Sequence, residues 1–199
     1  MLASPDAPWQ LRLTSIKPWP SCRHTHPVLE ASLELHGRVA HEAIADVRIE
    51  TYQAALALCD NAAPTSEYEA KFSLQYCAAA ALTDGNVTLR SFDGAARGRF
   101  AALAARTTAA SVAAFEAVYP DRWGARVTLR TTNGETLTAE RPGCKGDPEH
   151  AVTPHELRAK AALLLQHGGF GHERAASLIE AVLALPSGGV LPDVAQLVS

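Results

Sequence analysis

Lys17, Cys22, Arg23, His24 and His26 fall within the ten residues KPWPSCRHTH. Pro18 and Pro20 stiffen this segment, because each fixes its own φ and restricts the residue before it. Apolar residues at helical spacing begin directly afterwards, so the cationic groups sit on a loop that runs into a helix start. Such a place suits carboxylates: free backbone N–H groups and the helix macrodipole add to the side-chain charges. A stiff loop also holds these groups without ordering them anew at each binding event. A lysine or histidine there could act as acid or base in proton abstraction next to a carboxylate. The plainer alternative is a solvated loop whose His26 caps its own helix.

Other chemistries find less support. His24 and His26 stand two apart, and His36 and His41 five apart, but no Asp, Glu or Cys pair joins them at ligand spacing. No metal site is therefore expected, and His36 and His41 are placed at the surface. The four cysteines, Cys22, Cys59, Cys77 and Cys144, contain no CxxC pair. They are expected as reduced thiols, with Cys59 and Cys77 buried. No GxSxG elbow or phosphate-binding glycine loop is present. The segment GCKGD (143–147) is expected as an ordinary turn, with Lys145, Asp147 and Glu149 solvated.

The elements that must position the cluster follow from periodicity. WQLRL (9–13) alternates and could form a strand. Val28, Leu29, Leu33, Leu35 and Val39 recur at helical spacing behind Pro27, which predicts a helix over about 26–40. ADVRIETY (45–52) alternates as a half-buried strand does. The stretch 53–66 ends in the loop-forming NAAPTS. Ser66 and Glu69 have capping-box spacing ahead of an Ala-rich run closed by Gly85, which predicts one buried helix over about 67–83. A further helix is expected over 97–105, while 107–117 is open between helix and strand. ARVTLRTT and ETLTAE flank Asn133-Gly134, the signature of a hairpin with a type I′ turn. Thr153, Pro154 and Glu156 open a helix that runs to about Gln166, and residues 173–185 form an amphipathic final one. This order predicts an α+β domain with helices packed against an antiparallel sheet.

Composition narrows the function classes. The 199 residues are 47% hydrophobic and 20% charged, as in an ordinary globular domain. With 18 basic and 21 acidic residues, the net charge of −3 suggests neither a nucleic-acid surface nor a membrane patch. No apolar run is long enough to span a bilayer, and residues 1–15 lack the order of a secretory signal. A cytoplasmic location is the expectation.

Three segments, IKPWPSCRHTHP (16–27), PTSEYEAKFSLQYCAAAALTDG (64–85) and GDPEHAVTPHELRAK (146–160), occur in an informative order. In that order and approximate spacing the chain resembles the MmgE/PrpD family over about residues 9–185. Each motif alone is weak; together they are specific. The family includes 2-methylcitrate dehydratase, cis-aconitate decarboxylase and iminodisuccinate epimerase, which act on small polycarboxylates without a metal or organic cofactor. The resemblance implies an MmgE/PrpD-like C-terminal domain at 16–186, with residues 1–15 as a tail or the remnant of an inter-domain strand and 187–199 as a tail. It also implies that the loop faces a cleft between two domains.

Lys17 matches the family's active-site lysine and His26 the histidine that closes the motif, so these two are the catalytic candidates. Arg23, with His24 and Cys22, is the candidate substrate-binding set. Lys17 and Arg23 would hold carboxylates and stabilise the enediolate-like charge of proton removal. The cis-aconitate decarboxylase branch carries a histidine where this chain has Cys22, which argues against that reaction. Lys71, in the EAKFS motif, is expected to pair with a carboxylate while Phe72 and Leu74 pack. Family members also carry a large helical domain with further catalytic residues, and nothing in residues 1–15 could replace it. The expectation is thus the C-terminal part of a lyase or isomerase, 2-methylcitrate dehydratase-like and inactive without a helical partner, with a homodimer among its open assemblies. The alternative is a non-catalytic truncated or free-standing module that binds carboxylates or a partner protein.

Overall fold

The computed structural model describes residues 9–190. Residues 1–8 and 191–199, which make up much of the two expected tails, lie outside the described residues. The chain divides into two compact units, Met1–Ala151 and Val152–Ser199.

In the first unit the order is α1 (His26–Leu35), β1 (Ile44–Thr51), α2 (Gln53–Cys59), α3 (Glu67–Lys71), α4 (Leu74–Asp84), α5 (Gly94–Ala104), β2 (Thr107–Ser111), α6 (Ala113–Glu116), β3 (Ala125–Thr131) and β4 (Thr136–Arg141). The sheet order is β2-β1-β3-β4. β1, β3 and β4 pair antiparallel, but β2 pairs parallel to β1, with Val47 opposite Thr107. The antiparallel sheet expected from sequence is therefore a mixed one. The reason is the connection: β2 returns to β1 through helices, and a parallel neighbour requires such a crossover.

The core lies between the sheet and the helices. Val47, Ile49, Val127 and Leu129 are buried from the sheet, Val28, Leu29 and Leu35 from α1, and every residue from Leu74 to Leu82 from α4. That all-round burial is what an Ala-rich helix with no polar face requires.

Several boundaries differ from the sequence reading. The helix expected over 67–83 is two helices, because Ser73 interrupts it. The Ser73 hydroxyl donates to the Asn61 carbonyl at 2.5 Å and accepts the Tyr76 N–H at 2.9 Å, so it caps α4. The first helix stops at Leu35, and residues 53–59, to which the sequence reading assigned no element, form α2. Residues 107–117 split into a strand and a helical turn, and Gln10–Leu13 is a 3-10 turn where a strand was expected. In the hairpin Gly134 takes φ +89° while Asn133 keeps an ordinary φ. Thr131 N–H meets the Glu135 carbonyl at 2.9 Å, so the turn is a three-residue loop with a glycine bulge and not type I′.

The second unit is a helical hairpin of α7 (Pro154–His167) and α8 (His172–Ala184). Thr153 and Glu156 form the expected capping box at the start of α7. Among the described residues no helix is long and apolar enough to cross a membrane.

Candidate polycarboxylate site

Tyr52 follows β1, Trp123 precedes β3, and Cys144 and Asp147 follow β4, so the antiparallel register brings all four to one end of the sheet. The loop 16–25 docks there. Its first anchor is a backbone hydrogen bond from Ile16 N–H to the Gly146 carbonyl at 2.8 Å; a second runs from Cys22 N–H to the Lys71 carbonyl at 2.8 Å. The turn GCKGD is structural as expected, but its role is to clamp this loop.

Inside the loop the hydroxyls form a directed chain. Thr25 Oγ1 donates to the Cys22 carbonyl at 2.8 Å, which uses its one proton. Ser21 Oγ, 2.8 Å away, must therefore donate to Thr25. Lys17 is exposed and its Nζ donates to the Ser21 carbonyl at 3.1 Å. The ammonium thus lies back along its own loop.

Arg23 is held from two sides. Its Nε and Nη2 donate to the two oxygens of Asp147 at 3.1 and 2.6 Å, and its guanidinium lies 4.0 Å from the centre of the Trp123 ring. Ser15 Oγ donates to the same carboxylate at 2.7 Å. Asp147, expected to be solvated, is instead only 14% exposed in its side chain. A bidentate pair is the geometry that guanidinium and carboxylate favour.

His24 is 6% exposed. Its ring stacks on Trp123 at 4.4 Å, and Nδ1 lies 2.8 Å from the Tyr52 hydroxyl. Burial, then the charge of Arg23, holds its pKa below the usual histidine value. Burial likewise raises that of Tyr52, so the phenol keeps its proton. A neutral imidazole with Nδ1 accepting from a phenol is the consistent assignment.

His26 is the first residue of α1 and is 0% exposed. Trp19 meets it edge-on at 5.3 Å. Neither ring nitrogen has a hydrogen-bond partner among the described residues. Burial first, and then the nearby charge of Lys17, brings its pKa down to about 4; the Ser21 backbone opposes this without reaching hydrogen-bond geometry. His26 is not the helix cap, a position held by Thr25.

Cys22 is half-buried, and α2, which ends on Cys59, packs against the 3-10 turn that follows it. The polarity of the Cys59 thiol first, and then the backbone of the turn and the charge of Lys17, outweigh burial and lower the Cys22 thiol to about 6. Cys59 is raised by the neighbouring Cys22 and by its burial. Cys77 and Cys144 are buried, and burial pushes each thiol up to about 12. Next to the Arg23–Asp147 pair lies a cavity of about 520 Å³. Its lining includes Asp121, Arg122, Asp147, Glu149 and His150, an acid-rich set ill suited to a polycarboxylate.

Residues 19–185 match the family model of the MmgE/PrpD C-terminal domain. The chain belongs to the MmgE/PrpD family. A comparison with curated proteins returns no match.

In this MmgE/PrpD domain the five candidate residues occupy unequal places. Lys17, Cys22 and Arg23 reach solvent, whereas His24 and His26 are enclosed. The matched stretch begins at Trp19, so the role carried over to Lys17 rests on the sequence resemblance alone. Lys71 does pair with a carboxylate, Glu67 at 2.6 Å, while Leu74 is buried and Phe72 packs on the core. Sequence reasoning missed Asp147 as the partner of Arg23, and the aromatic seat of Tyr52 and Trp123 under His24. Asp147 lies in the GDPEH motif, but its pairing with a residue so distant in sequence leaves no local signal. Among the described residues no group of three or more His, Cys, Asp and Glu could hold a metal ion.

Proposed function

We propose that this chain is the C-terminal part of an MmgE/PrpD-type lyase or isomerase that acts on small polycarboxylates, with dehydration of a 2-methylcitrate-like substrate as the leading candidate. The supporting observation is the clamped loop, which presents Lys17, Cys22 and Arg23 to solvent at the start of α1. In this reading Lys17 contacts a substrate carboxylate and stabilises the charge that develops when the adjacent C–H loses its proton. Arg23, fixed on Asp147 and Trp123, supplies a second positive charge. His26, with no atom open to solvent, orients the loop and does not transfer the proton. His24 supports Arg23 from behind. The loop is one wall of the site, and a helical domain supplies the other.

A second reading is a non-catalytic module that binds carboxylates or a partner. The enclosure of both histidines favours it, and the acid-rich cavity favours its partner-binding form. One experiment separates the two. The purified chain is assayed for dehydration of 2-methylcitrate and citrate, alone and mixed with a separately expressed MmgE/PrpD helical domain. We expect turnover only in the mixture, and its loss on Lys17→Ala. Turnover by the lone chain would contradict the need for a partner domain. An active mixture indifferent to Lys17→Ala would remove Lys17 from the site, and an inactive mixture would favour the binding module.

A further inference from the structure

We propose that Asp147 is a positioning residue: it fixes one edge of the Arg23 guanidinium so that the other edge receives a carboxylate of the substrate. The inference deepens the function proposed above and rests on it. A guanidinium is a planar fork with two edges that can meet a carboxylate, one formed by Nε and Nη2 and one by Nη1 and Nη2. Asp147 takes the whole of the first edge, with Nε at 3.1 Å and Nη2 at 2.6 Å. On the second edge Nη1 makes no hydrogen bond among the described residues and is open to solvent, in a side chain that is 30% exposed.

The direction of that open edge is set several times over. Asp147 is itself held: Ser15 Oγ donates to its Oδ1 at 2.7 Å, and its backbone N–H meets the Cys144 carbonyl at 3.3 Å. Trp123 lies against the guanidinium at 4.0 Å. The indole is fixed in turn, because Nε1 donates to the Pro120 carbonyl at 3.0 Å and the His24 ring stacks on it at 4.4 Å. Turning the guanidinium would break the fork, the stacking or both. The loop itself is already pinned by the Ile16–Gly146 and Cys22–Lys71 backbone bonds. What the pair adds is orientation.

Charge alone would not call for this arrangement, since the Asp147 carboxylate offsets the charge of Arg23. Two parallel N–H groups fix a carboxylate in angle as well as in place, which a point charge cannot do. Placement carries weight in catalysis, because a shift of about 1 Å at a reacting centre can cost on the order of 100-fold in rate. A supporting residue that locks the contacting side chain is the usual means of avoiding such a shift. Asp147 fills that role through Arg23 without touching the substrate.

The test is steady-state dehydration of 2-methylcitrate by the full chain mixed with the helical domain, using variants whose unfolding midpoints show them folded. Asp147→Asn keeps the size of the side chain but loses a charged acceptor of the fork, and should raise KM about tenfold with kcat little changed. Arg23→Lys keeps the charge but has no second edge, and should raise KM to a similar degree. Combining the two should add little to either alone, because both remove the same oriented edge. A role confined to stability would instead lower the active fraction, and so kcat, at an unchanged KM. The proposal is overturned by an unchanged KM in Asp147→Asn, or in Arg23→Lys where the first variant fails to fold. It is equally overturned if the two losses multiply in the double variant. A wild-type mixture without turnover removes the function on which the inference rests, and the inference with it.

Discussion

The imidazole of His26 has no access to solvent and no hydrogen-bond partner among the described residues, so the fold keeps it neutral. Its folded pKa is about 4 against an ordinary 6.5, and the consequence for stability has a definite sign. As pH falls through that window, the unfolded chain takes up a proton that the folded chain refuses. The stability present above about pH 6.5 therefore declines toward pH 4. His24, also lowered by burial, acts in the same direction. Between about pH 7.5 and about pH 5 the loss from His26 should be on the order of 2 kcal/mol. Urea unfolding at the two pH values measures it, and His26→Gln should flatten the difference. Equal midpoints for the wild type would show that the imidazole is protonated inside the fold. The position of His26 beside the motif was legible in the sequence, but its enclosure was not, because burial depends on Trp19 folding back over it.

At the scale of elements, the loop that carries Lys17 owes its place to the turn after β4. Gly146 has φ +96°, donates to the His150 carbonyl and accepts from Ile16 N–H. A Cβ there would stand 2.0 Å from the Ile16 carbonyl oxygen. Gly146→Ala should therefore cost about 2 kcal/mol or more, through both the left-handed φ and the collision. Hydrogen exchange at Ile16 and Cys22 should rise with it. A variant as stable as wild type, with both amides still protected, would mean that the loop is held elsewhere. Local signals served well wherever one residue type satisfies its own neighbours. Gly85 closes α4 in the left-handed conformation, and Thr153 with Glu156 caps α7, as their spacing implies. They failed at Ser73, whose hydroxyl bonds the distant Asn61 carbonyl and breaks a run that looks continuous in sequence.

For the molecule as a whole, the two units differ in how much they bury. In the first, residues from all six helices and from β1, β3 and β4 meet in one apolar core, with Ala109 of β2 packed against it. In the second, Ala175 is the one fully buried residue of α7 and α8, while Leu157, Leu163, Leu164, Val182 and Leu183 stay exposed. Arg158 and Glu180, 3.3 Å apart, link the two helices with an exposed ion pair of small value. With so little apolar area removed from water, this hairpin should open well below the free energy of global unfolding. Amides of α7 and α8 should exchange before those of β1, β3 and α4. Simultaneous exchange of both sets would show that the chain opens as one cooperative unit.

The sequence by itself determined the periodic elements, the helix caps, the hairpin, the family and the loop on which the charged groups sit. Each of these depends on residues within a turn or two of one another, or on motifs kept in order. Only the tertiary structure decided that β2 lies parallel to β1, that Arg23 is bound to Asp147, and that His24 stacks on Trp123. It alone also separated the solvent-facing Lys17 from the enclosed His26. Such features join residues far apart in the chain. Their energies come from burial and charge pairing, which exist only once the sheet has gathered its ends.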